Sequence, residues 1–520
     1  MAVPAPTLRP RPGPPRRLSD LAAAVGLPAV PGAADTTDPP VSGITLDSRL
    51  VDPGDLYVAL PGRHHHGATF AAAAAARGAV AVLTDAEGLG AVLAAGLPVL
   101  LAERPRALMA HVAAEVYGRP ADRLAMYAVT GTNGKTTTTF LLDAALRAAG
   151  HRSGTIGTIG FLLDGHPLPA TRTTITTPES PELQALLGYL LQEGADAVAM
   201  EVSSHALVLG RADAITFDVA AFTNFGRDHL DFHGDEESYF AAKAQLFTPE
   251  RTRQVVLNVD DPRGRQLVEQ VGRTPQLVLR TVSLSDRAAD YRLLDARPAQ
   301  DGTTAVEVRT PGADLAFRLA LPGEFNLRNA MTALAMVELG GGDVARAASG
   351  LADVDVPGRM QRVPLEGDAP TVVVDFAHTP QAVTAALESV RPRRCIVVLG
   401  CGGDRDPDKR RPMGEAAARA AAVVVVTDDN PRSEDPAAVR AEVLAGARRV
   451  AGGTGADVLD GGDRRAAIRT ALTLAAPADV VAVLGKGHET GQEVAGQVLP
   501  FRDADVVREE WSALRTEVGR

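Results

Sequence analysis

The chain has 520 residues, 45% of them hydrophobic, 22% charged and 4% aromatic, with a formal net charge of −11. That length exceeds what a single core supports and predicts about three domains. The acidic balance argues against a nucleic-acid scaffold, and no apolar run is long enough to span a bilayer. Four of the 53 basic residues are lysines: Lys135, Lys243, Lys409 and Lys486. Such scarcity marks them as places where a compact ammonium or a reactive amine is needed and arginine fails. Cys395 and Cys401 read as free thiols of a reducing compartment.

Residues 1–17 are rich in proline and arginine and carry no apolar h-region, so they read as a disordered tail of a cytoplasmic protein. Residues 18–123 read as a small α/β domain. Gly43-Ile-Thr-Leu-Asp-Ser-Arg49 leads to the turn Pro53-Gly54-Asp55 and a strand over Leu56–Leu60. Residues 124–355 open with a strand at Met126–Thr130, a glycine loop and a helix that ends at Gly150. Further strands follow at Ala197–Met200, Asp218–Phe222 and Val255–Leu257, an alternation that predicts a doubly wound, mostly parallel sheet.

Residues 356–520 read as a Rossmann-like α/β domain with strands at Thr371–Val374, Cys395–Leu399, Ala422–Val426 and Val480–Leu484. Each strand empties into a polar cluster. These begin at Asp375, Gly400, Asp428 and Gly485. Parallel sheets bind ligands outside the carboxyl ends of their strands, so the four clusters predict one crevice.

Gly131-Thr-Asn-Gly-Lys-Thr136 lies between a strand and a helix, the setting of a phosphate loop. Lys135 supplies charge for the β- and γ-phosphates of ATP, and Thr136 a hydroxyl for Mg²⁺. Val129 stands where the commonest form of this loop has its first glycine. Glu201, after the next strand, is an oxygen ligand of the kind Mg²⁺ prefers, and His229 is available to a second metal. His233 reads as an ordinary helix histidine. A lysine at 243 facing metals must be neutral, or be converted by CO₂ to an anionic carbamate.

Taken together, the motifs Thr130-Gly-Thr-Asn-Gly-Lys-Thr-Thr137, Glu201-Val-Ser-Ser-His205, Arg227-Asp-His-Leu-Asp231, Asn326-Leu-Arg-Asn329, Pro357-Gly-Arg359, Asp375-Phe-Ala-His-Thr-Pro380 and Gly485-Lys-Gly-His-Glu489 give the chain a family likeness. It resembles the Mur ligases, ATP-dependent amide-forming enzymes of peptidoglycan precursor synthesis, and within them the branch that adds meso-diaminopimelate. The resemblance covers essentially everything after the tail.

It implies three domains, for a uridine nucleotide, ATP and an amino acid, closing on one another. Leu46, Ser48, Arg63, His64 and His65 would contact the UDP moiety. Thr176, Thr177, Ser203 and Arg211 would hold the muramoyl-dipeptide. Gly131, Thr132, Asn133, Gly134, Lys135, Thr136, Thr137, Asn329, Arg359 and Asp375 would bind ATP. Thr136, Glu201, His229 and a carbamylated Lys243 would form the magnesium site, with Lys135, Lys243, His229 and Glu201 serving the chemistry.

Asp429, Asn430, Pro431 and Arg432, with Arg405, Gly485 and Glu489, would select diaminopimelate. A guanidinium forks onto the second carboxylate that lysine lacks, and Glu489 would take the distal ammonium. Ile175, Leu209, Phe376 and Gln381 depart from the commoner family residues. The reaction implied is attack of the D-Glu γ-carboxylate on ATP, giving an acyl phosphate that the amine then opens. The small-molecule substrates are the partners expected, with no nucleic acid, no membrane insertion and a monomeric protein. Two enzyme rivals share the ATP machinery: a lysine-adding ligase and a folylpolyglutamate-type synthetase. A rival of another class is a P-loop switch protein.

Overall fold

The computed structural model describes residues 8–11, 13–27, 38–62, 64–169, 175–299, 303–391 and 393–518. The chain forms two compact units. The first comprises residues 1–295, 306–317 and 328–351, and the second 296–305, 318–327 and 352–520.

Among the described residues, the two largest sheets lying wholly or mostly in the first unit are a four-stranded and an eleven-stranded one. The smaller has four parallel strands in the order Gly43–Thr45, Asp55–Val58, Ala81–Thr84, Val99–Leu101. Its first three strands are buried throughout, the near-continuous apolar run that a parallel sheet covered on both faces requires. The parallel centre of the larger sheet has the order Ser153–Gly157, Ala197–Glu201, Ala125–Thr130, Phe217–Phe222, Thr252–Asn258, Val278–Ser283. The hairpin strand Gly160–Leu163 extends one edge in antiparallel sense. Tyr291–Pro298, Thr304–Arg309 and Asp314–Leu319 extend the other.

Met126, Ala128, Val198, Met200, Ala220 and Phe222 point to one face and pack on Leu183, Leu186, Leu187 and Leu190 of the helix Ser180–Gln192. Each leucine so buried contributes about 1.5–3 kcal/mol. The helix after the glycine loop, Lys135–Ala149, stops at Gly150, whose φ of 107° lets its N–H turn back to the carbonyls of the last turn.

Where the tail is described it is engaged, not free. Arg9 forks onto Asp55 at 2.7 and 2.9 Å. Arg11 and Gln192 exchange two hydrogen bonds, at 2.7 and 3.0 Å. Arg16–Arg17 pairs antiparallel with Pro40–Val41. This corrects the expectation of disorder for these residues, and the reason is electrostatic. Asp55 is 1% exposed, and a buried carboxylate needs a cation.

The second unit holds a sheet in the order Gln361–Val363, Thr371–Asp375, Val480–Leu484, Cys395–Leu399, Val423–Thr427, Asp457–Gly462, parallel except for the first strand. One face packs on the helices Pro380–Glu388, Arg410–Ala420 and Pro436–Thr454, the other on Arg464–Leu474 and Asp503–Val518. Arg464 and Asp503 form a fully buried fork at 2.7 and 2.8 Å, and Arg464 also donates to the Leu484 carbonyl at the end of a central strand. Both cysteines are free and buried, and burial pushes each thiol up to about 12, so both are inert.

Candidate active site

The glycine loop is shaped by what stands next to it. Gly131 has a φ of 149°, and a Cβ there would collide with the Thr223 hydroxyl. Thr223 and Asn224, at the end of the neighbouring strand, pin the loop. Thr223 Oγ1 and Asn224 Nδ2 donate to the Asn133 carbonyl at 2.6 and 3.0 Å. The amides of Thr132 and Asn133 donate to the backbone and side-chain oxygens of Asn224, both at 2.9 Å. Gly134, at φ 84°, lies against buried Asn329, which therefore borders the loop as expected. Thr137 is buried on the same turn.

Lys135 Nζ donates to the carbonyls of Gly131 and Thr132 at 2.9 and 3.0 Å. Lys243, 1% exposed, donates to the same Gly131 carbonyl at 2.9 Å and lies 4.3 Å from the centre of the Tyr239 ring. Two amines on one oxygen cannot both carry charge cheaply. Burial first, and Lys135 second, hold the Lys243 amine well below its ordinary range.

Glu201 is 1% exposed and gathers neutral donors. Thr136 Oγ1 and Thr158 Oγ1 donate to Oε2, each at 3.0 Å, and the Thr158 amide to Oε1 at 2.8 Å. The Thr176 hydroxyl lies 3.1 Å from that of Thr158 and can donate to it, since the Thr158 proton is given to Glu201. Thr177 Oγ1 donates to the Glu201 carbonyl at 2.9 Å and accepts from the Ser203 amide at 3.1 Å. Arg211 donates to the Thr177 carbonyl and to Glu179, at 3.1 and 3.0 Å, and Glu179 also takes Arg106. Thus Thr136, Glu201, Thr176, Thr177, Ser203 and Arg211 form one connected network, with Thr158 and Glu179 as members that the sequence reading missed.

His229 stands apart from that network. It opens the helix Leu230–His233 with a φ of 53°, and its ring meets His205 edge-on with centroids 4.9 Å apart. His205, Phe232, His233 and Tyr239 form a ring cluster with it. His233 shares a 2.9 Å hydrogen bond with Ser204, so it is more than an ordinary helix histidine. Burial lowers the pKa of all three histidines. Among the described residues no three His, Cys, Asp or Glu side chains converge as a metal cluster.

In the smaller sheet, Leu46 and Ser48 follow one strand and His64 and His65 follow its parallel neighbour, so both loops leave the same edge. Leu46 and Ser48 are half-buried, and His64 and His65 are exposed. Arg63 lies outside the described residues. His66 Nδ1 accepts from the Ala68 amide, which leaves its Nε2 to donate to Asp85 at 3.0 Å.

The four strand-end clusters of the second unit lie side by side, because their strands are neighbours in the sheet. Asp375 accepts from the amides of Met360 and Ala377 at 2.7 and 2.8 Å; burial raises its pKa and Arg359 opposes the rise. Arg359 lies over the Phe376 ring at 4.5 Å, a cation–π contact. Lys486, fully buried, donates to Asn430 Oδ1 at 3.1 Å, Glu489 at 2.9 Å and the Gly491 carbonyl at 2.7 Å. Asn430 Nδ2 closes the triangle onto Glu489 at 2.7 Å.

Asp429 is buried beneath Gly485, whose φ is 112° and whose missing side chain makes room for it. Burial raises the Asp429 pKa, against Arg464 and Lys486. Pro431 is buried, and its carbonyl sits where a side chain at Gly403 would be. Arg432 has a left-handed φ of 52°, donates from Nη1 to the Gly403 carbonyl at 2.5 Å, and pairs with Glu493 at 3.3 Å. Arg405 is exposed on the neighbouring loop.

Three family descriptions match consecutive stretches of the chain. They are the Mur ligase family catalytic domain over residues 40–117, the Mur ligase middle domain over 129–337, and the Mur ligase glutamate ligase domain over 358–487. The chain is 45% identical over 509 residues to the UDP-N-acetylmuramoyl-L-alanyl-D-glutamate–2,6-diaminopimelate ligase of Streptomyces avermitilis, covering 96% of this chain and 98% of that one. It is 43% identical over 521 residues to the UDP-N-acetylmuramyl-tripeptide synthetase of Leifsonia xyli, covering 98% of each.

A solved UDP-N-acetylmuramoyl-L-alanyl-D-glutamate–2,6-diaminopimelate ligase superposes with a TM-score of 0.68 at 31% identity, over 96% of this chain and 99% of that one. The folylpolyglutamate synthase of Mycobacterium tuberculosis, solved with ADP and AMPPCP, shares the fold at a TM-score of 0.57 and 21% identity, over 79% of this chain and 95% of that one. The matched stretches span the glycine loop and Glu201 in the first unit and the ends of the four parallel strands in the second, and on this likeness the chain belongs to the Mur ligase family.

Proposed function

We propose that this chain is an ATP-dependent amide ligase that joins meso-diaminopimelate to the D-Glu γ-carboxylate of UDP-N-acetylmuramoyl-L-alanyl-D-glutamate, releasing ADP and phosphate. It serves peptidoglycan precursor synthesis, in the cytoplasm and as a monomer. The observation that carries the choice of amine is Arg432, held at a strand end with Asn430 and Glu489 beside it. Diaminopimelate offers that guanidinium a second carboxylate; lysine does not.

The domain division is 18–123 for the uridine nucleotide, 124–355 for ATP and 356–520 for the amino acid. Leu46, Ser48 and His64–His65 take the UDP moiety, and Thr176, Thr177, Ser203 and Arg211 the muramoyl-dipeptide. The loop amides and Lys135 receive the phosphates, with Asn329, Arg359 and Asp375 also on the nucleotide. Phosphoryl transfer needs positioning and charge neutralisation more than a protein nucleophile. The γ-carboxylate oxygen attacks the γ-phosphorus as the bond to ADP breaks. The amine then attacks the acyl carbon, and phosphate leaves.

Thr136 Oγ1 and the Glu201 carboxylate, 3.0 Å apart, offer two oxygens beside the loop, a donor set that suits Mg²⁺ when nucleotide and water supply the rest. Mg²⁺ held there would neutralise charge on the β- and γ-phosphates, with His229 serving a second ion. The Lys243 amine, buried and held below its ordinary range, is suited to CO₂. Its nitrogen bonds the carbon, a proton leaves to solvent, and the resulting carbamate lies beside the Lys135 ammonium that balances it.

The test is phosphate release from ATP with the UDP-muramoyl-dipeptide, comparing diaminopimelate with lysine. Diaminopimelate should drive turnover and lysine should not. Equal use of both would favour the lysine-adding reading. Phosphate release indifferent to any amine would point to a nucleotide switch.

A further inference from the structure

We infer that Gln361 is a positioning residue for nucleotide use: its side chain locks the turn that carries Arg359, with Asp355 as its anchor. The inference rests on the reading of Arg359 as a nucleotide contact given above. It gives a role to two side chains that the reading does not use.

Val356-Pro357-Gly358-Arg359 is a tight turn, closed by the Arg359 amide donating to the Val356 carbonyl at 3.0 Å. Proline in its second position and a glycine at φ 65° in its third make it a type II turn. A Cβ at Gly358 would also collide with the backbone of Gly487 and His488, so the turn is pressed against that loop. The Gly358 carbonyl accepts from the Phe376 amide at 2.9 Å. The turn's own hydrogen bond leaves the Gly358 amide to find another partner, and this residue is buried. Gln361 Oε1 takes it at 3.0 Å, and Gln361 Nε2 donates to Asp355 Oδ2 at 3.1 Å. One side chain, 9% exposed, thus ties the turn to the residue that precedes it.

The bond to Gly358 falls where it controls the turn. Types I and II differ by a flip of the peptide between the second and third residues, and Gln361 holds the N–H of that peptide. The flip would carry Gly358 to negative φ and re-aim the residue after it, Arg359. On the far side the chain is already fixed. The Met360 amide donates to Asp375 at 2.7 Å, and Gln361 itself opens the strand Gln361–Val363, opposite Val374 of Thr371–Asp375. Arg359 therefore sits between a peptide held by Gln361 and an amide held by Asp375, with its guanidinium 4.5 Å over the Phe376 ring. Asp375 restrains one side of it, and Gln361 the other.

The experiment measures phosphate release by the full-length protein with Mg²⁺ and the UDP-muramoyl-dipeptide, varying ATP and diaminopimelate in turn. Gln361→Ala should raise the KM for ATP about ten-fold, the cost of one buried amide left without its acceptor. The KM for diaminopimelate should hardly move, and Arg359→Ala should raise the KM for ATP at least as much. Gln361→Glu keeps the shape and the acceptor for Gly358 but sets a carboxylate against Asp355, so it should be impaired too. Adding Asp355→Asn to Gln361→Glu exchanges donor and acceptor across the bridge and should restore the parent KM. Packing alone cannot give that pattern, since Gln and Glu fill the same space. An unchanged KM for ATP in Gln361→Ala, with Arg359→Ala impaired, overturns the inference and leaves the nucleotide reading standing. A rise in both KM values with a lowered thermal midpoint overturns it as well, and so does a double variant no better than Gln361→Glu. If Arg359→Ala leaves the KM for ATP unchanged, the nucleotide role of Arg359 falls, and this inference with it.

Discussion

At the glycine loop two lysine amines turn to one carbonyl oxygen, that of Gly131, while the adjacent carboxylate, Glu201, is held by threonines. At the strand ends of the second unit each of the main charges has a counter-charge: Lys486 with Glu489, Arg432 with Glu493, Arg464 with Asp503. The first arrangement holds one cation, Lys135, by carbonyls and one carboxylate, Glu201, by hydroxyls and an amide, and suits a polyanion that arrives with its own metal. The second suits a small zwitterion, whose two charges can be exchanged for those already present. Ligand charge type is thus written in how a site's own charges are paired, not in how many it has.

The comparison can be broken most severely at Lys135. Lys135→Ala should lower turnover about 10³-fold in a phosphate-release assay, because a preorganised charge at the transferring phosphoryl group is lost. Recovery in Lys135→Arg would mean that simple positive potential suffices there. At the other site, Asp503→Ala should cost about 3–5 kcal/mol in chemical denaturation, since Arg464 would be left buried and unpaired. A loss below 1 kcal/mol would show that water reaches the guanidinium.

Arg432→Lys should cost about 2–5 kcal/mol in kcat/KM for diaminopimelate and leave the KM for ATP unchanged, as a point charge cannot reproduce the fork. Lys243→Ala should lose activity that added short carboxylates partly restore. A variant that remains fully active would remove the carbamate from the reaction.

The smallest effect concerns Glu182, in the first turn of Ser180–Gln192. Burial, then the nearby Glu179 charge, pushes its carboxyl up to about 7. The folded state holds this proton more tightly than the unfolded chain. The destabilisation is therefore absent below the unfolded value near 4.5, grows as pH rises, and is complete above about 7. Glu182→Gln should raise the thermal midpoint relative to the parent at pH 8 but not at pH 4.5, by at most a few degrees. A gap independent of pH would refute the shift.

The glycine loop was legible because its residue spacing and its strand–helix setting agree. The strand-end clusters were legible because four apolar runs each ended in polar residues. Thr158, Thr223 and Asn224 were not, because their role follows from sheet order. Ser153–Gly157 and Phe217–Phe222 flank the central strands Ala197–Glu201 and Ala125–Thr130 only after folding. Glu493 was hidden similarly, since a hairpin residue gains its partner through one isolated bridge between Arg432 and Val494.

Thr304–Arg309 and Asp314–Leu319 alternate, with Val306, Val308, Phe317 and Leu319 buried beside exposed neighbours, whereas Val278–Ser283 and Tyr291–Pro298 carry mixed burial without such alternation. Three of the four lysines, Lys135, Lys243 and Lys486, lie at the glycine loop or at a strand end. Lys486 is a fully buried tie between Asn430 and Glu489, and nothing in the structure explains Lys409.

The segment around Arg9 and Arg11 works as a guy-rope. One end is made fast to Asp55, at the start of a strand whose far end leads to His64 and His65; the other is tied to Gln192, at the foot of the long helix beneath the central sheet. Cutting it would expose an acid with nothing to neutralise it and slacken the small four-stranded sheet, while the glycine loop stayed in place. On the proposed division of the chain, a shortened protein would then bind its sugar nucleotide poorly although His64 and His65 themselves were untouched.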